Sequence, residues 1–129
     1  PILGGHDRIH LIDPIDVEEM HNLIARCHFV MTDSGGLQEE APALGKPVLV
    51  MRRETERPEA IAAGTAKLAG VEKDTIVKMA DELLDSPEAY AKMAHAVNPY
   101  GDGHACARIA QAIEWYFGQS AARPTDFGA

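Results

Sequence analysis

Phe29-Val30-Met31-Thr32-Asp33-Ser34-Gly35-Gly36-Leu37-Gln38-Glu39-Glu40 decides how the chain folds. An apolar run meets small polar residues and two glycines, then passes into good helix formers. This is the pattern of a buried parallel strand turning into a helix whose N-terminus stays open. Glycines let a ligand approach the backbone closely, and the first helical N–H groups have no intrahelical partner. Such a turn is a candidate anion site, with phosphate its commonest occupant. The competing reading is an ordinary strand–helix turn that binds nothing.

Upstream of this stretch, Arg8 to Ile12 reads as a short strand. Asp13-Pro14 follows as an N-cap with proline at the first helical position, and Asp16, Glu18 and Glu19 lie near the positive dipole end. Val17, Met20, Leu23, Ile24 and Cys27 keep one face of that helix apolar, and residues 28–32 form the second strand. Downstream, Pro42 removes a donor inside the next helix, and Gly45 ends it as a left-handed cap. Val48 to Met51 is a strand, followed by the polar loop Arg52 to Arg57. Pro58 to Ala63 is a short helix stopped by Gly64, and residues 65–70 form a last strand.

From there the chain is helical. Ile76, Val77, Ala80, Leu83 and Leu84 mark one amphipathic helix, and a second spans Glu88 to Ala96 with Tyr90, Met93 and Ala94 inward. Asn98 to Gly103 is a turn cluster, and a last helix carries Cys106, Ile109, Ala110, Ile113 and Phe117 on one face. The tail from Gln119 has no periodicity, so the domain is assigned to residues 1–118, with 119–129 as a frayed tail.

Strands alternating with helices predict an α/β, Rossmann-like parallel sheet with helices on both faces. In such sheets ligands bind outside the carboxyl ends of the strands. The two richest polar stretches, Thr32 to Glu40 and Arg52 to Arg57, both fall there.

A chain of 129 residues has room for one domain with a real core. The formal net charge of −8 argues against a nucleic-acid partner and requires any anionic ligand to be held by local donors. No apolar run reaches the length of a membrane span, and no signal segment opens the chain. Cys27 and Cys106 are expected to be buried free thiols in a reducing, cytoplasmic setting. The histidines His6, His10, His21, His28, His95 and His104 show no paired metal spacing and read as structural or surface groups; no metal or cofactor is expected. The opening Pro1 to Gly5 reads either as the product of initiator-Met removal or as the middle of a longer protein.

Asp33-Ser34-Gly35-Gly36 has the look of a trypsin-like nucleophile turn, but that chemistry needs a two-barrel all-β fold with a histidine base and an aspartate. The turn also lacks the lysine of a P-loop and the spacing of a dinucleotide fingerprint. Glu40, about one turn into the helix, is placed to reach ribose hydroxyls while Ser34, Gly35 and Gly36 hold phosphate. Arg52, Arg53 and Arg57 either form a surface network with Glu54, Glu56 and Glu59 or, at a strand's carboxyl end, donate to phosphate and sugar oxygens.

Between Thr32 and Gly70 the residues resemble a known family. Residues 32–42 (TDSGGLQEEAP), 45–52 (GKPVLVMR), 55–61 (TERPEAI) and 63–70 (AGTAKLAG) are similar to the non-hydrolysing UDP-N-acetylglucosamine 2-epimerases, as is the Asn98 to Gly103 signature with Ala105 to Ile109. The resemblance implies the C-terminal half of a GT-B-type two-domain enzyme, with the active site between two Rossmann-type domains. It implies that Ser34, Gly35 and Gly36 contact the pyrophosphate, Glu40 the ribose hydroxyls and Arg57 the sugar–phosphate end. Ile15 to Met20 would border the uracil, although Val17 and Met20 stand where aromatics are expected.

The family interconverts UDP-GlcNAc and UDP-ManNAc by eliminating and re-adding UDP. Its acid and base groups lie on an N-terminal domain that this chain does not match. The chain itself offers no carboxylate or histidine pair set for proton transfer at carbon, so no catalytic residue is assigned and the isolated chain is expected to be silent. Expected partners are a UDP-sugar, the N-terminal domain and, at full length, a second copy in a homodimer. The alternative from another class is the UDP-sugar half of a GT-B glycosyltransferase, or a free-standing nucleotide-binding module.

Overall fold

The computed structural model describes residues 2–127. Its elements run α1 (Val17–Arg26), β1 (Val30–Thr32), α2 (Gly35–Ala43), β2 (Val48–Val50), α3 (Pro58–Ala63), β3 (Ala66–Leu68), α4 (Lys73–Asp85), α5 (Pro87–Ala94) and α6 (Ala105–Tyr116). The strands form one parallel sheet in the order β1-β2-β3. Val30 pairs with Val48 and Val48 with Ala66, and the register continues to Thr32, Val50 and Leu68.

Strand alternation sends neighbouring side chains to opposite faces. Val48, Val50 and Ala66 therefore pack with Ile24 of α1, Ala41 of α2 and Ala60 of α3. Leu49 faces the other way and packs with Ala69, Leu83 of α4 and Met93 of α5. Helices thus cover both faces, as alternating strands and helices require. All of β2 is buried, which explains its uninterrupted Val-Leu-Val run.

The local signals act where they were read. Gly45 and Gly64 take φ of +67° and +83° at the ends of α2 and α3. Pro42 sits buried in the last turn of α2, and Ser86 caps α5 by accepting from the Ala89 amide at 3.2 Å.

Several expectations are corrected. Residues 8–12 form no strand; Leu11 and Ile12 are exposed, and no strand among the described residues pairs with them. The first helix is capped by Asp16, not Asp13: its carboxylate accepts from the Glu19 amide at 2.8 Å, and Val17 is the first helical residue. Asp16 with Glu19 supplies the side-chain cap that the Asp-Pro pair only mimics. Val17 and Leu23 of α1 and Val77 and Leu84 of α4 point outward, because each helix lays a narrower stripe on the sheet than its apolar periodicity spans. The face of α6 is likewise exposed: Cys106 is a free, exposed thiol, and Ile109, Ile113 and Phe117 join neither core cluster. This helix leaves the sheet after the Asn98–Gly103 turn, so its periodicity has nothing among the described residues to cover it. Cys27 is a free thiol in partial burial, which pushes its pKa up.

Candidate functional site

The site forms where β1 and β2 end. Thr32, the last residue of β1, is buried, and its hydroxyl accepts from the Ser34 amide at 3.0 Å, closing the turn on itself. Ser34 is then the N-cap of α2 with extended backbone (φ −78°, ψ 131°), but its hydroxyl makes no capping bond. The first turn of α2 contains no acidic side chain before Gln38. The positive end of the helix and an uncommitted hydroxyl therefore face the same ground, which the Glu56 carboxylate from the loop after β2 shares beside Gly35.

Two glycines begin the helix. A Cβ on Gly36 would lie 3.5 Å from Glu40 Oε1 and 3.9 Å from Ser34 Oγ, so these two groups converge over bare backbone. On Gly35 the corresponding space is taken by the Glu56 carboxylate, with Arg57 Nη2 3.9 Å away. Neither glycine has positive φ. Their value is close approach to the backbone rather than turn geometry.

Arg57 arrives from the loop after β2, and two separate links hold it. Its backbone amide donates to Thr55 Oγ1 at 3.0 Å. The Thr55 hydroxyl in turn donates to Gln38 Oε1, and Gln38 Nε2 donates to the Ser34 carbonyl at 3.2 Å. Its side chain is held through Nε, which donates to Glu39 Oε1. The Glu39 hydrogen bond raises the Arg57 pKa further, so the guanidinium stays charged, with Nη2 beside Gly35 and Nη1 donating to the Glu56 carbonyl at 3.4 Å.

The loop's other two arginines are paired. Arg52 donates to Glu56 at 2.7 Å and Arg53 to Glu72 at 3.0 Å. The Glu56 carboxyl is held below its usual range, first by its own backbone amide, with Arg52 and Arg57 adding to the effect. The loop thus divides between surface pairing (Arg52, Arg53) and the site (Arg57), where sequence left both readings open.

Ser34, Gly35, Gly36, Glu40 and Arg57 are brought together. Ile15 and Met20 do not line one surface: Ile15 borders a hollow with Ile12 and Arg26, whereas Met20 packs against the core beside Leu37. Two hollows of 510 and 540 Å³ with mainly apolar linings lie along α3 and β3; Lys67, Glu82 and Lys92 border the first, and Arg53, Glu54 and Thr55 of the loop after β2 border the second. Among the described residues no three His, Cys, Asp or Glu side chains are grouped to hold a metal ion, and no helix is long and apolar enough to cross a membrane.

Sequence reading missed Gln38, Glu39 and His21. Gln38 is fully buried and joins the two loops. His21, read as a surface or structural group, places Nε2 3.1 Å from Glu40 Oε2. No spacing announces such contacts, because each joins elements that meet only in the fold.

The arrangement defines a class: a Rossmann-like α/β unit with a parallel sheet covered by helices on both faces and a candidate ligand-binding turn at the carboxyl ends of its strands. Comparison with known proteins narrows it. A family model described as UDP-N-acetylglucosamine 2-epimerase matches residues 1–114, and the chain belongs to that family. The UDP-N-acetylglucosamine 2-epimerase of Bacillus subtilis is 52% identical over 124 residues, covering 96% of this chain and 33% of that protein. The S. aureus MnaA–UDP co-structure superposes with a TM-score of 0.89 at 50% identity, over 98% of this chain and 35% of that one. The Neisseria meningitidis UDP-GlcNAc 2-epimerase bound to UDP-GlcNAc gives a TM-score of 0.77 at 50% identity, over 81% of this chain and 28% of that one. The chain spans about a third of the length of the curated relatives it matches.

Proposed function

We propose that residues 1–118 are the C-terminal, UDP-binding domain of a non-hydrolysing UDP-GlcNAc 2-epimerase, with residues 119–129 a tail outside it. The observation that carries this reading is the convergence of Ser34 Oγ and Glu40 Oε1 over Gly36, with Arg57 Nη2 beside Gly35. In this reading the amides of Gly35 and Gly36 and the Ser34 hydroxyl hold the diphosphate. Glu40 takes the ribose hydroxyls, Arg57 the sugar–phosphate end, and the Ile15–Met20 segment flanks the uracil.

The reaction we assign to the full-length protein begins with loss of the C2 proton and cleavage of the bond from C1 to the diphosphate oxygen. The products are a 2-acetamidoglucal and UDP. Re-addition of UDP at C1, with a proton delivered to the other face of C2, gives the epimer. The proton-transfer groups belong to the N-terminal domain. This chain's part is electrostatic: negative charge gathers on the departing β-phosphate, where helix-terminal amides, the Ser34 hydroxyl and a fixed guanidinium stabilise it. We place the protein in the cytoplasm, with its N-terminal domain and a second copy as partners.

Titrating the 129-residue chain with UDP, followed by amide NMR, tests the binding role. Shifts at Ser34 to Glu40 and at Arg57 are expected. No shifts there with saturating UDP would show that this turn does not hold the diphosphate. Epimerisation of UDP-GlcNAc by this chain alone would show that the chemistry does not need the other domain.

A further inference from the structure

We propose that His21 is a positioning residue for Glu40 and so sets how strongly the site selects a ribose. The inference rests on the assignment of Glu40 to the ribose. His21 lies on α1 and Glu40 on α2, and their contact links two helices that the sequence separates by 19 positions. The two oxygens of Glu40 have different surroundings. Oε2 faces His21 Nε2 at 3.1 Å, whereas Oε1 faces the glycine turn, 3.5 Å from the Cβ position on Gly36. One oxygen is thus held from the side of α1 while the other is free for a ligand.

A glutamate has several rotamers to lose when it engages a ligand. Fixing it beforehand reduces that loss and raises affinity without any new contact to the ligand. The Nε2–H tautomer and the imidazolium both donate from this atom, so the role does not depend on protonation. Both side chains are substantially exposed, at 47% and 38%, so the pair adds little to folding. Its contribution appears in recognition instead.

Calorimetric titration of the 129-residue chain and its variants with UDP and with 2′,3′-dideoxy-UDP isolates the effect. The wild-type chain is expected to prefer UDP, and Glu40→Ala to abolish that preference. His21→Ala should lower the preference by roughly 3–10-fold, the scale of one net hydrogen bond, with dideoxy-UDP affinity unchanged as a control for an intact site. His21→Gln, which keeps an N–H donor near the Nε2 position, should restore the preference. A His21→Ala chain with full preference, or a His21→Gln chain no better than His21→Ala, overturns the proposal while leaving the ribose assignment intact. A wild-type chain that binds no UDP, or a Glu40→Ala chain that keeps the preference, overturns the ribose assignment and this proposal with it.

Discussion

Thr55 Oγ1 donates to Gln38 Oε1 at 2.5 Å, joining the loop after β2 to the helix after β1 through a side chain with no solvent exposure. The same Gln38 reaches back to the Ser34 carbonyl, and the same Thr55 accepts from the Arg57 amide. The hydroxyl-bearing turn and the arginine loop therefore share one buried hinge pin. Their spacing is set before any ligand arrives.

Gln38→Ala should consequently cost about 2–4 kcal/mol of stability, combining unsatisfied polar groups with a small cavity. Thr55→Val, which keeps the volume but removes two hydrogen bonds, the one to Gln38 and the one from the Arg57 amide, should cost about 1–3 kcal/mol. Urea unfolding of both variants checks this. A Gln38→Ala cost below about 1 kcal/mol would mean that the buried link between the two loops contributes nothing to the fold.

Gly36→Ala should separate stability from binding. The added methyl makes ordinary contacts of 3.5 and 3.9 Å with Glu40 and Ser34, and alanine favours a helix over glycine by about 1 kcal/mol. The folded state should be unharmed or slightly stabilised. UDP affinity should nevertheless fall by about tenfold or more, roughly 1.4 kcal/mol, since the methyl occupies the ground between those two groups. Undiminished affinity would place the diphosphate elsewhere.

Asp102 supplies a pH-dependent element at the start of α6. Its carboxylate accepts two hydrogen bonds from Arg108, at 2.8 and 2.5 Å, and one from the His104 amide at 3.0 Å. Arg108 above all, then the His104 amide, holds its pKa far below the ordinary carboxylate value. Because the folded value is the lower one, the stabilisation is complete above the unfolded value of about 3.9 and is lost as pH falls toward the folded one. Asp102→Asn should thus unfold more easily than wild type at neutral pH, with the gap closing in strong acid. A gap that stays constant from pH 7 to about pH 2 would show that the carboxylate charge is immaterial.

What was legible in the sequence was local or periodic. Gly45 and Gly64 need left-handed backbone, Val48-Leu49-Val50 needs burial on both faces, and Gly35-Gly36 opens a helix; each is a property of a few adjacent residues. Two kinds of fact were not legible. Apolar periodicity states which face of a helix seeks cover but not whether cover exists, and hence α6, Val17 and Leu84 were read as inward. Contacts between helices or loops, such as Glu39 with Arg57 and His21 with Glu40, have no sequence spacing of their own. The adjacent pair Glu39-Glu40 illustrates the limit: both read as helix-surface carboxylates, yet one anchors an arginine and the other faces a glycine turn.

The middle strand has a kinetic consequence. Val48 and Val50 belong to one core cluster and Leu49 to the other, so neither layer of helices can peel away without exposing residues of β2. The two layers should open together as one cooperative unit, with the β2 amides the slowest in the protein to exchange with deuterium. The loop that carries Arg57 begins just after this strand, so the arginine is tethered to the last part of the chain to let go.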